Sequence, residues 1–301
     1  MNWKKLMITV VAAMFVLTLS NCSLNTNTIK VTDPKPETYM WLIKSEKSTV
    51  YLLGSVHIGK KENYPLHEKI ENAYASADCL VVEANVTSSK ELEQQKIMLQ
   101  LASLPKEKTL KEVVPEKLYS LVDVECKKLG FPITAFERYK PWLIALNISS
   151  LKTLQGGYNP MYGIDRYFLN KAELDNKDIA ELESLDFQLK LLDSISLDIQ
   201  NEFLEQTCTT TVEDYKKLTD EMYTCWKNAD PEKMNDIVKR YENDTMIQLI
   251  FRERDKGMAE KITDYLKTNK TYFIVVGSAH LTGEGSVIDL LKKKGFDPVQ
   301  Q

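Results

Sequence analysis

The chain has 301 residues, 43% of them apolar and 27% charged, a composition that supports a substantial buried core. Its 39 basic and 43 acidic side chains are spread along the sequence and give a formal net charge of −4. No basic stripe forms, so nucleic acid is excluded as an expected partner.

Met1–Lys5 carries two lysines and is followed by an uncharged apolar run, Leu6–Leu19. That run has the length of a signal-peptide core and is too short to span a hydrocarbon layer of about 30 Å as a helix. It ends in Leu19-Ser20-Asn21-Cys22, which resembles a bacterial lipobox. The expected outcome is a signal peptide over residues 1–22, lipidation of Cys22 and a protein held by acyl insertion at the outer face of the cell membrane. Ser23–Pro36 is polar, contains two prolines and shows no apolar periodicity, so it reads as an extended tether. Residues 37–301 are expected to form one domain. Of the remaining cysteines, Cys79 sits in a strand-like run and reads as a buried thiol. Cys208 and Cys225 flank a helical stretch and are a candidate disulfide in a secreted protein. No C-x-x-C spacing occurs, which excludes a cysteine-rich metal site.

The first elements are two β-prone runs, Tyr39–Ile43 and Thr49–Leu53, joined as a hairpin by polar Lys44–Ser48. From Pro65 to Ala77, Leu66, Ile70, Ala73 and Tyr74 fall at helical spacing, and His67 lies on the polar side of that helix. Cys79–Val82 reads as a buried strand that closes a βαβ unit with parallel strands. Helical periodicity then dominates: Ser89–Ser103, Pro115–Leu129 and Pro141–Leu154, with Gly130 and Gly156-Gly157 as stops. A turn-rich Tyr158–Gly163 leads into a helix from Asp165, then a strand over Asp178–Leu182, then helices to about Lys267. Tyr272–Val276 is a β-branched run suited to a strand covered on both faces. A helix over Ser286–Lys294 and an edge strand over Asp297–Gln300 complete the chain. The expected fold class is α/β: a mixed sheet built from N- and C-terminal βα segments, with a large helical insertion over about residues 89–267. That insertion is expected to wall the site, with Trp142, Tyr158 and Tyr162 as candidate apolar contacts.

Two of the three histidines lie in near-copies of one motif. Gly54-Ser55-Val56-His57 follows one strand, and Gly277-Ser278-Ala279-His280 follows another. Each glycine lets the backbone turn as it leaves the sheet. Each histidine then stands past the carboxyl end of its strand, where open α/β sheets place ligand sites. Glu83 ends Cys79–Val82 in the same way. Two imidazoles and a carboxylate suit Zn²⁺, Mn²⁺ or Co²⁺; a metal-free alternative uses one histidine as general base, with Glu83 orienting it.

These motifs, the Val81-Val82-Glu83 strand end and Val276-Gly277-Ser278-Ala279-His280-Leu281 resemble the TraB/GumN family, which is related to the Tiki metalloproteases and, distantly, to erythromycin esterases. Gly163-Ile164-Asp165, Leu182-Glu183-Ser184 and Gln188 match the family's central block. Arg254-Asp255 resembles its arginine–asparagine element, with Asp255 in place of the asparagine. The resemblance implies a metal set of His57, Glu83 and His280, and a catalytic set that adds Glu183 and Arg254. From sequence alone, Glu183 could instead be a helix-start carboxylate, Arg254 part of a solvated helix face, and Asp165 a helix cap. The implied function is a cell-surface metal-dependent hydrolase, a peptidase in the first instance, acting on a peptide or small ester. One member type dampens peptide-pheromone signalling in Gram-positive bacteria, so the alternative is a non-catalytic lipoprotein that sequesters a peptide. A metal- or haem-binding protein is a third reading.

Overall fold

The computed structural model describes residues 38–87, 90–240 and 245–301. The expected signal peptide, Cys22 and the whole of the expected tether lie outside the described residues. Among the described residues, no helix is long and apolar enough to cross a membrane.

Strands β1 (Met40–Lys44) and β2 (Thr49–Ser55) form the expected antiparallel hairpin. Helix α1 (Glu68–Ser76) leads to β3 (Cys79–Val82). The helix begins three residues later than the Pro65 reading, because His67 is its N-cap and accepts a hydrogen bond from the Lys69 amide through Nδ1 at 3.1 Å. His67 therefore caps the helix from its half-buried position. Helices α2 (Glu91–Ala102), α3 (Leu110–Val113), α4 (Glu116–Lys128), α5 (Pro141–Gln155) and α6 (Ile164–Asp175) follow. Strand β4 (Asp178–Glu181) separates them from α7 (Leu185–Asp193), α8 (Leu197–Thr209), α9 (Val212–Lys227), α10 (Pro231–Lys239) and α11 (Thr245–Tyr265). Strand β5 (Thr271–Gly277), helix α12 (Val287–Lys293) and strand β6 (Val299–Gln300) finish the chain.

The six strands form one mixed sheet in the order β4-β3-β5-β2-β1-β6. The four strands β4, β3, β5 and β2 run parallel, and the edge pairs β2–β1 and β1–β6 are antiparallel. Strands β2 and β3 are parallel, as a βαβ unit requires, but β5 from the far end of the sequence lies between them. In register, Ser55 faces Gly277, and Val82 faces both Val275 and Glu181. All four parallel strands therefore end at one edge.

Strand β5 is buried along nearly its whole length, as the β-branched run predicts for a strand covered on both faces. Helix α5 is buried almost all round, and its Trp142 is fully enclosed with Nε1 donating to Asp193 at 3.2 Å. Trp142 is thus a core residue and no site contact. Lys152, on the same helix, is also buried. Its ammonium meets Glu125 at 2.7 Å and donates to the carbonyls of Thr207 and Thr210, at 2.9 and 2.7 Å. This replaces water at the last turn of α8 and ties three insertion helices together. Cys79, Cys126, Cys208 and Cys225 are all free thiols, so the candidate Cys208–Cys225 disulfide is absent.

Candidate functional site

The parallel edge delivers one polar residue from each of its four strands. His57 follows β2, Glu83 follows β3, Glu183 follows β4, and His280 sits on the single turn Ser278–Leu281 after β5. The ladder continues past the strands, with the Glu183 amide donating to the Glu83 carbonyl at 2.7 Å. That bond holds the two glutamates side by side.

The motif glycines are required by close packing. A Cβ on Gly54 would stand 2.5 Å from the Tyr39 ring and 3.2 Å from the Ser278 backbone, so the two motif turns press against each other. The Gly54 carbonyl also accepts the indole N–H of Trp226 at 2.6 Å, which fastens α9 to the turn before His57. At Gly277 a Cβ would lie 3.1 Å from His57 Nε2, 3.3 Å from Glu83 Oε1 and 3.5 Å from His280 Cδ2. Glycine there keeps open the point on which the three side chains converge.

Both imidazoles are held from behind by carboxylates. His57 Nδ1 lies 2.8 Å from Asp165 Oδ2, and the other oxygen of Asp165 accepts from Ser55 at 2.8 Å. His280 Nδ1 lies 2.6 Å from Asp255 Oδ1. Each Nε2 then faces Glu83 Oε1, at 4.0 Å from His57 and 3.8 Å from His280. The Phe251 ring packs on His280, with centroids 4.8 Å apart. His280 Nε2 is buried and has no hydrogen-bond partner among the described residues. Glu83 is fully engaged: Oε1 accepts the Gly277 amide at 2.6 Å and Oε2 accepts Arg254 Nη2 at 2.6 Å. Arg254 also donates through Nε to Glu183 Oε2 at 2.8 Å, and Gln188 donates to the same oxygen at 3.0 Å.

Burial alone would push the Glu83 carboxyl up. The Arg254 guanidinium, helped by His280, His57 and the Gly277 amide, instead holds it ionised, at about 2. Burial would likewise push His57 down, and Asp165 overcomes it, raising the ring to about 9. Among the described residues, Glu83, Glu183, Asp165 and Asp255 surround the two rings together with the Arg254 guanidinium.

The residues named from sequence are thus gathered at one place. Arg254 is 4% exposed and Glu183 8%, so neither the solvated-face nor the helix-start reading holds. Asp165 turns toward His57 instead of capping its helix, whose N-cap is Gly163. Tyr158 and Tyr162 belong to neighbouring loops: the Tyr158 hydroxyl donates to Asp220, and the Tyr162 carbonyl accepts from Tyr64 at 2.9 Å. The side chains in contact with the two Nδ1 atoms are those of Asp165 and Asp255, while Glu83 faces the Nε2 atoms. Asp255 was legible only as a departure from a family pattern. Its signal lay elsewhere, since Asp255, Met258, Ala259 and Ile262 form one helical stripe with each residue at 0% exposure. A carboxylate inside such a stripe needs a buried partner.

Among the described residues, no three His, Cys, Asp or Glu side chains are close enough together to ligate an ion as they stand. Two ligands of one tetrahedral zinc lie about 3.4 Å apart. The separations of 3.8 and 4.0 Å from Glu83 to the two Nε2 atoms exceed that only slightly. The donor types suit a divalent cation, but as placed the three residues do not form a ligating group.

The model of the TraB/PrgY/gumN family matches residues 39–300. The chain belongs to this family. It is 24% identical to the uncharacterized protein YbaP of Escherichia coli (strain K12) over 242 residues, covering 80% of this chain and 87% of that protein. It is 22% identical to a metalloprotease TIKI homolog of Amphimedon queenslandica, covering 86% of this chain and 60% of the relative. With metalloprotease TIKI1 of Xenopus tropicalis the identity is 20%, over 92% of this chain and 63% of the relative. The chain therefore spans less than two thirds of these TIKI proteins. No solved structure matches it.

Proposed function

We propose that this protein is a metal-dependent hydrolase of peptide or small ester bonds, with His57, Glu83 and His280 as the residues that hold a divalent ion. The reading is carried by one observation: both histidines spend Nδ1 on a carboxylate and turn Nε2 toward the same Glu83 oxygen. The naming of distant relatives as metalloproteases supports it.

A divalent ion at this point would supply Lewis acidity to a substrate carbonyl and to the attacking water. The chain's own residues do the rest. Arg254 keeps Glu83 ionised and fixes its Oε2, so that Oε1 alone faces the imidazoles. A carboxyl held at about 2 is a poor proton acceptor near neutrality, which favours a ligand or electrostatic role for Glu83 over that of general base. His57 is the solvent-facing member of the pair, with its side chain 19% exposed against 1% for His280. Without metal it carries a proton near neutrality, which a divalent ion would displace from Nε2, so proton delivery by His57 belongs to the metal-free alternative. Glu183 and Gln188 brace Arg254 from the far side.

The proposal includes attachment to the outer face of the membrane through lipid on Cys22; Cys22→Ser should move the protein out of the membrane fraction. The central test is metal analysis of the purified full chain, with turnover on peptide and ester panels with and without chelator. Loss of turnover on chelation and recovery with Zn²⁺, Mn²⁺ or Co²⁺ is the expected result. Turnover that ignores chelator in metal-free protein would defeat the metal and leave His57 acid–base chemistry. Tight peptide binding without turnover would establish sequestration instead.

A further inference from the structure

The two carboxylates behind the histidines stand outside the proposed ligand set, and they come from different helices of the insertion. Asp165 lies in the first turn of α6, and Asp255 lies on α11, one residue from Arg254. Each lies against the Nδ1 of one ring, at 2.8 Å for Asp165 and 2.6 Å for Asp255. A neutral imidazole carries its single ring proton on either nitrogen, and the choice follows the hydrogen bond the ring can make. An ionised carboxylate only accepts, so it selects the Nδ1–H form and leaves Nε2 with its lone pair. We propose that Asp255 and Asp165 are positioning residues that fix the tautomer and ring orientation of His280 and His57, so that both Nε2 lone pairs meet at Glu83 Oε1.

Three further features support this. Among the described residues His280 Nε2 has no hydrogen-bond partner, as expected of a nitrogen kept available for a ligand. Ser55 donates to the second oxygen of Asp165, which aims the first at His57. Phe251 packs on the His280 ring and limits its rotation. Carboxylates behind metal-binding imidazoles are a common device for orienting the ring and raising its basicity, and their loss typically lowers metal affinity 10- to 100-fold. The inference rests on the proposed centre only for that affinity; the tautomer assignment stands apart from it.

The chain contains three histidines, so nitrogen-15 NMR of the imidazoles in metal-free full-length protein can be assigned by single substitutions. Spectra taken above about pH 9 observe His57 in its neutral form. Expected is a proton on Nδ1 and none on Nε2 for both His57 and His280. D255A should move the His280 proton toward Nε2 and leave His57 unchanged, and D165A should do the converse. D255N and D165N retain an accepting amide oxygen and should largely restore the Nδ1 form. Titration with Co²⁺, followed by its visible absorption, should show 10- to 100-fold weaker binding in the alanine variants and less than tenfold in the asparagine variants. Asp165 is nearer solvent, so D165A provides the same test should D255A fail to fold. A proton on Nε2 in the unaltered protein, or tautomers unmoved by alanine, would overturn the assignment. Expected tautomers with no Co²⁺ binding would support positioning while defeating the metal centre.

Discussion

The turn after β2 and the turn after β5 are near-copies in sequence, and they are treated differently by the fold. Each has Gly-Ser, one small or apolar residue, then histidine. Each histidine has a carboxylate at Nδ1 and looks at the same oxygen of Glu83. The His57 turn opens to solvent, and its Asp165 is partly exposed. The His280 turn is sealed under Phe251 and α11, and its Asp255 has no exposure. Repetition of a motif therefore specifies the chemical group presented, while the covering helices decide whether that group meets water. The open copy can be reached from solvent, and the closed copy is held in a fixed geometry.

The largest effects should come from removing either ring. His57→Ala and His280→Ala should each lower hydrolysis by about 10²- to 10⁴-fold, as loss of a group acting directly at the reaction does. They should part company in stability when compared above about pH 9, where the His57 ring no longer contributes its charge. His280→Ala strips a partner from a fully buried carboxylate, at a cost of about 1–3 kcal/mol, whereas His57→Ala should there melt nearly normally. Equal melting temperatures would remove the distinction between the two copies.

Glu83→Gln tests what the copies share. It leaves Arg254 with one neutral partner in a buried network, and truncating one side of such a pair costs about 3–5 kcal/mol. Glu183 still neutralises Arg254, so the lower end is expected, together with loss of activity and of metal. Full metal content in Glu83→Gln would mean that the two histidines bind without it.

Exposure can be probed directly. In His57→Gly the vacated space adjoins solvent, so added imidazole should restore part of the activity. In His280→Gly it should not, because the space is enclosed. Rescue of both variants would show that the second site opens in solution.

A smaller effect is expected in the metal-free protein as pH changes. The His57 ring is raised from an ordinary 6.5 to about 9. The stability this supplies is complete below about 6.5 and is lost as pH rises through about 9. Glu83 is lowered from 4.5 to about 2, so its contribution is present above about 4.5 and fades as pH falls toward 2. Melting temperature against pH should slope downward between 6.5 and 9, and His57→Ala should flatten that limb. The smallest effect belongs to the third histidine. His67→Ala removes a helix cap, worth about 1 kcal/mol, and should leave turnover unchanged.

What the sequence determined by itself was local. Glycine between a β-branched run and a histidine specified a strand that stops and a ring shown at its end, because turning and strand propensity depend on neighbours in the chain. The same logic put Glu83 at a strand terminus and made both chain ends α/β with helices between. What only the tertiary structure decided was which groups face one another. Strand β5 inserts between β2 and β3, so His57, Glu83 and His280 leave adjacent strands. Asp165 reaches His57 from a helix more than a hundred residues away in the chain, and Asp255 reaches His280 from the buried stripe of another. Arg254, drawn under the sheet edge by the same helix, became the counterion of two glutamates instead of a surface charge. Periodicity assigns a side chain to a face of its own helix. Its partner depends on how that helix packs against the sheet, and that is fixed by contacts between distant parts of the chain.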